Sequence, residues 1–67
     1  MEKELCRSPS KEVLIKFYKQ LYNKDIIGVW SSLFRFYFVI DINKLELIEE
    51  HVIRYEDNQY ILYELEV

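Results

Sequence analysis

The chain has no Ala and no Thr, and its 67 residues include one each of Cys, His, Gly, Pro and Trp. Each scarcity removes a class of function. With Cys6 alone no intramolecular disulfide can form, and with His51 alone no zinc ligand set of the usual Cys/His spacing exists. A single glycine, Gly28, cannot build a phosphate-cradling loop. Long apolar runs are also missing: charged residues, 31% of the chain, interrupt every hydrophobic stretch, which argues against a membrane span. No metal and no cofactor are implied. The segment Met1-Glu2-Lys3-Glu4-Leu5 carries acids and no secretory apolar run, so a cytoplasmic chain with a reduced Cys6 thiol is expected.

Hydrophobic residues make up 51% of the chain and aromatics 16%, too apolar a composition for disorder, and residues 1–67 read as one small globular domain. A domain of this size buries only about 60% of its unfolded surface, and its core supplies roughly 3–5 kcal/mol. With disulfides and metals excluded, association is the remaining source of stability. Heavy use of Ile, Lys, Tyr, Phe, Asn and Glu suggests AT-rich codons, hence an accessory gene of the phage or plasmid type. The net charge of −3 is unevenly spread: residues 1–40 hold seven Lys or Arg against four acids, and residues 41–67 two against eight. Halves of +3 and −6 argue against a nucleic-acid binder and permit an acidic surface aimed at a basic or nucleic-acid-binding protein.

Residues 1–7 show no periodicity and read as a frayed terminus. Ser8-Pro9 is a helix start, and the helix is predicted to run to about Lys24, with Val13, Leu14, Phe17, Tyr18, Leu21 and Tyr22 on its apolar side. Ile15 widens that side beyond what one sheet face needs. Asp25 to Trp30 reads as a short turn, with Trp30 a core aromatic over a tight backbone approach at Gly28. From Leu33 the period changes to two: Phe34, Phe36, Phe38, Ile40 and Ile42 point one way and Leu33, Arg35, Tyr37, Val39 and Asp41 the other. Asn43-Lys44 supplies a two-residue hairpin turn that sets Ile40 opposite Leu47. Residues 45–56 fit either a strand with a bulge near Glu49-Glu50 or a helix capped by Asn43 and Glu46; the strand is preferred, because the stretch from His51 to Tyr63 has hairpin form around Glu56-Asp57-Asn58. The last strand turns Ile61, Tyr63, Leu65 and Val67 inward. The predicted fold is α+β, an N-terminal helix packed on a three-stranded antiparallel meander, with Phe34, Phe36, Phe38, Ile40, Leu45, Leu47, Ile53, Ile61, Tyr63 and Leu65 buried under the helix.

Glu49, Glu50 and His51 are the one cluster that could be drawn as a catalytic or metal site. Neighbouring carboxylates on a strand point to opposite faces and cannot share a proton or an ion, so no enzyme is expected. Ser31-Ser32 lacks a base. Lys11, Lys16, Lys19 and Lys24 with Tyr18 and Tyr22 offer a nucleic-acid alternative, read instead as a solvated helix side. The outward sheet face is the predicted partner-binding surface, through Tyr37, Val39, Glu46, Ile48, Glu50, Val52, Tyr60, Leu62 and Glu64. These readings describe a small protein-binding inhibitor, adaptor or regulator, with a homodimeric structural or regulatory protein as the alternative.

Overall fold

The computed structural model describes residues 2–66; Met1 and Val67, the latter expected to point inward, lie outside the described residues. Glu2–Ser8 forms strand β1, where a frayed terminus was expected. Its pairing with the last strand shifts register between Glu4 and Cys6, so Leu5 and Cys6 both pack toward the core. That bulge erases the alternation by which a strand is recognised in sequence.

Because β1 continues to Ser8, helix α1 begins later than predicted, at Lys11, and ends at Tyr22. Ser10 is its N-cap. Asn23 closes it in the left-handed conformation (φ 56°), donating its backbone N–H to the Lys19 carbonyl at 2.8 Å. Ile26–Ser31, expected to be a turn, is strand β2, because it pairs residue for residue with the next strand from Ile26↔Asp41 to Ser31↔Phe36. Its apolar character on both sides masked the period.

The predicted meander is present as β3 (Phe36–Asp41), β4 (Glu46–Glu56) and β5 (Gln59–Leu65). With the two added strands the sheet has five, in the order β1-β5-β4-β3-β2 with every neighbour antiparallel. The protein is thus α+β, one helix on a five-stranded antiparallel sheet, the helix connecting the two edge strands across one face.

Two connections follow their local chemistry. Asp57 and Asn58 both take positive φ (53° and 63°), as a two-residue turn of the mirror-image kind requires. Between β3 and β4 the turn spans residues 42–45 rather than two residues, because Asp41 Oδ1 accepts from the backbone N–H groups of Asn43 (3.0 Å) and Lys44 (3.2 Å). Ile40 still pairs with Leu47, as expected. The bulge near Glu49-Glu50 is also present, since the β3–β4 register jumps from Phe38↔Val52 to Val39↔Ile48. Residues 49–51 have no partner on β3, while His51 stays paired with Glu64 of β5. His51 thereby turns toward the helix.

The core is Leu14 and Tyr18 of α1 on Ile26, Val39, Ile48, Ile53 and Leu62. This inverts the predicted sheet. Val39, Ile48 and Leu62, expected on the outward surface, lie under α1, with Tyr37 and Tyr60 partly buried beside them. Phe34, Phe36, Phe38, Ile40, Leu47, Tyr63 and Leu65 belong to the other face or its turns, Leu45 sits exposed in a turn, and of the predicted core only Ile53 is under the helix. Val52 and Ile61 are buried, but on the Phe side, through their pairing with Phe38 and Arg54. The physical reason is space. A helix approaches a sheet closely where side chains are small or branched, and Gly28, Val39 and Leu62 leave that room, whereas a row of Phe rings would hold it away. A Cβ on Gly28 would stand 3.4 Å from Tyr37 Cβ and 3.7 Å from Ile53 Cδ1, ordinary van der Waals distances, so the tight approach expected there is absent. Trp30 does not cover this glycine; it is half exposed on edge strand β2. Among the described residues no helix is long and apolar enough to cross a membrane.

Candidate interaction surface

Each strand pair places its opposed residues on one side of the sheet, so the face away from α1 can be followed strand by strand. It carries Ile27 and Val29 from β2, Phe36, Phe38 and Ile40 from β3, Leu47 and Val52 from β4, and Ile61 and Tyr63 from β5. Phe34, from the β2–β3 turn, stacks on Phe36 (5.7 Å between centroids) and meets Phe38 edge-on (6.0 Å), and Phe36 meets Phe38 edge-on at 5.1 Å. The cluster is open to solvent: Phe34 is 58% exposed, Leu47 47% and Val29 45%. None of the described residues covers these exposed side chains. Several large apolar groups side by side on one face differ from the scattered surface apolars of ordinary monomers.

The charged side chains of this face come from β4 and β1. The Arg54 guanidinium packs 5.8 Å from the ring centroids of Phe36 and Tyr63 and pairs with Glu2. Arg7 holds Glu4 in a two-point contact, 2.8 Å from Nε to Oε2 and 2.5 Å from Nη2 to Oε1. This contact keeps the Glu4 carboxyl below its usual range. The Tyr63 hydroxyl donates to Glu56 at 3.2 Å.

On the helix side a polar cluster lies beneath the last turns of α1. The buried His51 ring has Nδ1 2.9 Å from the Tyr18 hydroxyl and Nε2 3.3 Å from the Tyr22 hydroxyl, with Glu64 Oε2 3.7 Å from Nε2. A carboxylate beside Nε2 favours the tautomer protonated there, in which Tyr18 donates to Nδ1. Burial lowers the His51 pKa against the pull of Glu64 and Glu50, and burial raises Tyr18 to about 12. A neutral imidazole between two protonated phenols satisfies its own hydrogen bonds. It is closed under the helix.

Three other groupings complete the surface. Glu46 and Glu50, with Ile48 beneath them, line an open depression of about 220 Å³ that also holds Asp41, Glu49, Lys24 and Lys44. Among the described residues no group of three or more His, Cys, Asp or Glu side chains is disposed to hold a metal ion. Tyr37 and Tyr60 join an aromatic row with Trp30 and Tyr55, over which Lys11 Nζ lies 4.7 Å from the Tyr37 centroid. The lysine helix is largely committed elsewhere: Lys11 to these rings, Lys19 to Asp25 at 3.4 Å, and Tyr18 to the core.

The nine residues predicted to bind a partner are therefore not one surface. Val39, Ile48 and Leu62 are core, Val52 is buried on the opposite side, Glu64 leans on His51, Tyr37 and Tyr60 meet in the aromatic row on the helix side, and Glu46 and Glu50 line the open depression. The residues that do form a continuous apolar patch, the exposed Phe34, Ile27, Val29 and Leu47 around the half-buried Phe36 and Phe38, were partly read as core and partly as turn. Their signal in the sequence was that both parities of residues 33–42 are apolar, which makes one of the two faces surplus whichever is chosen. Compared with known proteins, the chain matches no family model, no curated protein and no solved structure, so the bare face has to be interpreted on its own chemistry.

Proposed function

We propose that the protein is a non-enzymatic binding module, of the inhibitor, adaptor or regulatory kind, that engages another protein chain through the sheet face opposite α1. The observation that carries this reading is the Phe34, Phe36 and Phe38 cluster, half-buried at Phe36 and Phe38 and exposed at Phe34 and at the flanking Val29 and Leu47. Aromatic side chains supply large contact areas at low entropic cost and concentrate in the anchors of protein interfaces, and a rim of charge, here Arg54, Glu2, Arg7 and Glu4, surrounds such anchors.

The test is affinity capture from the source cell with the wild-type chain and with a Phe34→Asp variant. Phe34 is exposed in a turn, so the variant keeps its fold by circular dichroism. Partner recovery should drop at least tenfold. Equal recovery by a folded Phe34→Asp chain would refute this face as the working surface.

A further inference from the structure

We infer that the occupant of the bare sheet face is a second copy of the same chain, the two sheets stacking face to face about a two-fold axis. This rests on the preceding reading of the face as an interface and names its partner.

Charge is the first argument. In a two-fold contact every side chain meets the same set on the other copy, so a net charge at the centre would repel itself. The β2–β3 half of this face, Ile27, Val29, Phe36, Phe38 and Ile40, contains no charged side chain at all. Of the charges on the rest of the face, Arg54 is neutralised within one copy by Glu2 and Arg7 by Glu4, which leaves the Glu56 carboxylate at the rim, held by the Tyr63 hydroxyl. A surface whose centre offers no unbalanced charge gives a charged foreign partner little to complement. It suits its own image.

Area is the second argument. Five strands about 4.8 Å apart, four of them six or seven residues long and β4 eleven, at about 3.3 Å per residue make a face of roughly 20 by 25 Å. Closing two such faces, with the relief of protruding Phe rings, removes on the order of 1,000 Å² from water, which reaches the threshold for a specific interface. Two sheets stacked about 10 Å apart with helices outside would also give each copy the second covered layer that its single helix does not provide.

Edge pairing is the competing route to a dimer. β1 is guarded by Glu2, Lys3, Glu4 and Arg7, whereas β2 carries no charge. The experiment separates the two routes. Sedimentation equilibrium of the full chain across micromolar concentrations should show a monomer–dimer equilibrium, and Val29→Arg and Leu47→Lys should each weaken it on the order of 100-fold or more, since each places like charges across the axis. Both positions are about half exposed, so the variants should retain the wild-type circular dichroism spectrum. Isotope-filtered NMR on mixed labelled and unlabelled wild-type chains should show contacts from the Phe36 and Phe38 rings to Val29 or Leu47 methyls of the other copy, a readout independent of any variant. A wild-type chain that stays monomeric overturns the inference. So does a dimer that survives both substitutions and lacks those contacts, which would assign it to the β2 edge. In the first case, loss of partner capture by Phe34→Asp would still uphold the face as a binding surface for a different protein.

Discussion

Which face of the sheet is core can be decided with one residue type and one substitution. Leu62 is fully buried between α1 and the sheet, and Leu47, on the neighbouring strand's opposite face, is 47% exposed. Leu62→Ala removes the same atoms as Leu47→Ala, but from a packed site where the cavity cannot be filled by water. The expected cost is about 3 kcal/mol. That is comparable with the roughly 3–5 kcal/mol a core of this size supplies, so the variant should be largely unfolded or melt more than about 12 °C below wild type. Leu47→Ala forfeits only part of a transfer term and leaves no cavity, costing about 1 kcal/mol or less. Urea unfolding followed by circular dichroism, at a protein concentration low enough to populate monomer, measures both. Equal costs, or a larger cost at Leu47, would show that the helix covers the Phe face after all and would refute the assignment of the bare surface with it.

Protonation of His51 gives a second test. Its pKa is lowered chiefly by burial, with Lys24 adding to the lowering and Glu64 and Glu50 opposing it, so on acidification the unfolded chain takes up this proton first. Stability present above about pH 6.5 should therefore fall as pH drops toward the folded-state pKa, and His51→Gln should flatten that slope in thermal melts between about pH 7 and pH 5; an unchanged slope would show that the ring titrates freely. A third test concerns Leu45, which holds a positive φ of 56° while its side chain is 82% exposed. Leu45→Gly should raise the urea midpoint by the equivalent of about 0.5–1 kcal/mol, because glycine adopts this conformation without strain; a lower midpoint would mean that the side chain holds the turn.

Elements written in local chemistry were legible before the structure was known. The helix around Leu14 and Tyr18, the β3–β5 meander, the Ile40↔Leu47 register, the bulge at Glu49-Glu50 and the turn at Asp57-Asn58 all follow from period, turn residues and parity within a few positions. β1 and β2 were not legible. β1 hides behind the bulge at Leu5, and β2, Ile-Ile-Gly-Val-Trp-Ser, is apolar on both sides and so has no alternation to read.

By itself the sequence determined that a strand within residues 33–42, realised as Phe36–Asp41 with 33–35 in the preceding turn, carries apolar groups on both faces and that one short amphipathic helix could cover only one of them. An exposed apolar surface was therefore implied from the start. Only the tertiary structure decided which face that is. Parity within a strand is a local property, but the choice between two apolar parities depends on how closely a helix eleven or more residues away can approach, and so on the sizes of Gly28, Val39 and Leu62 taken together across three strands. The larger Phe side chains were the natural guess for the core by hydrophobicity alone. Packing selected the smaller ones and left the rings outside, where their contact with a second chain becomes the property that matters.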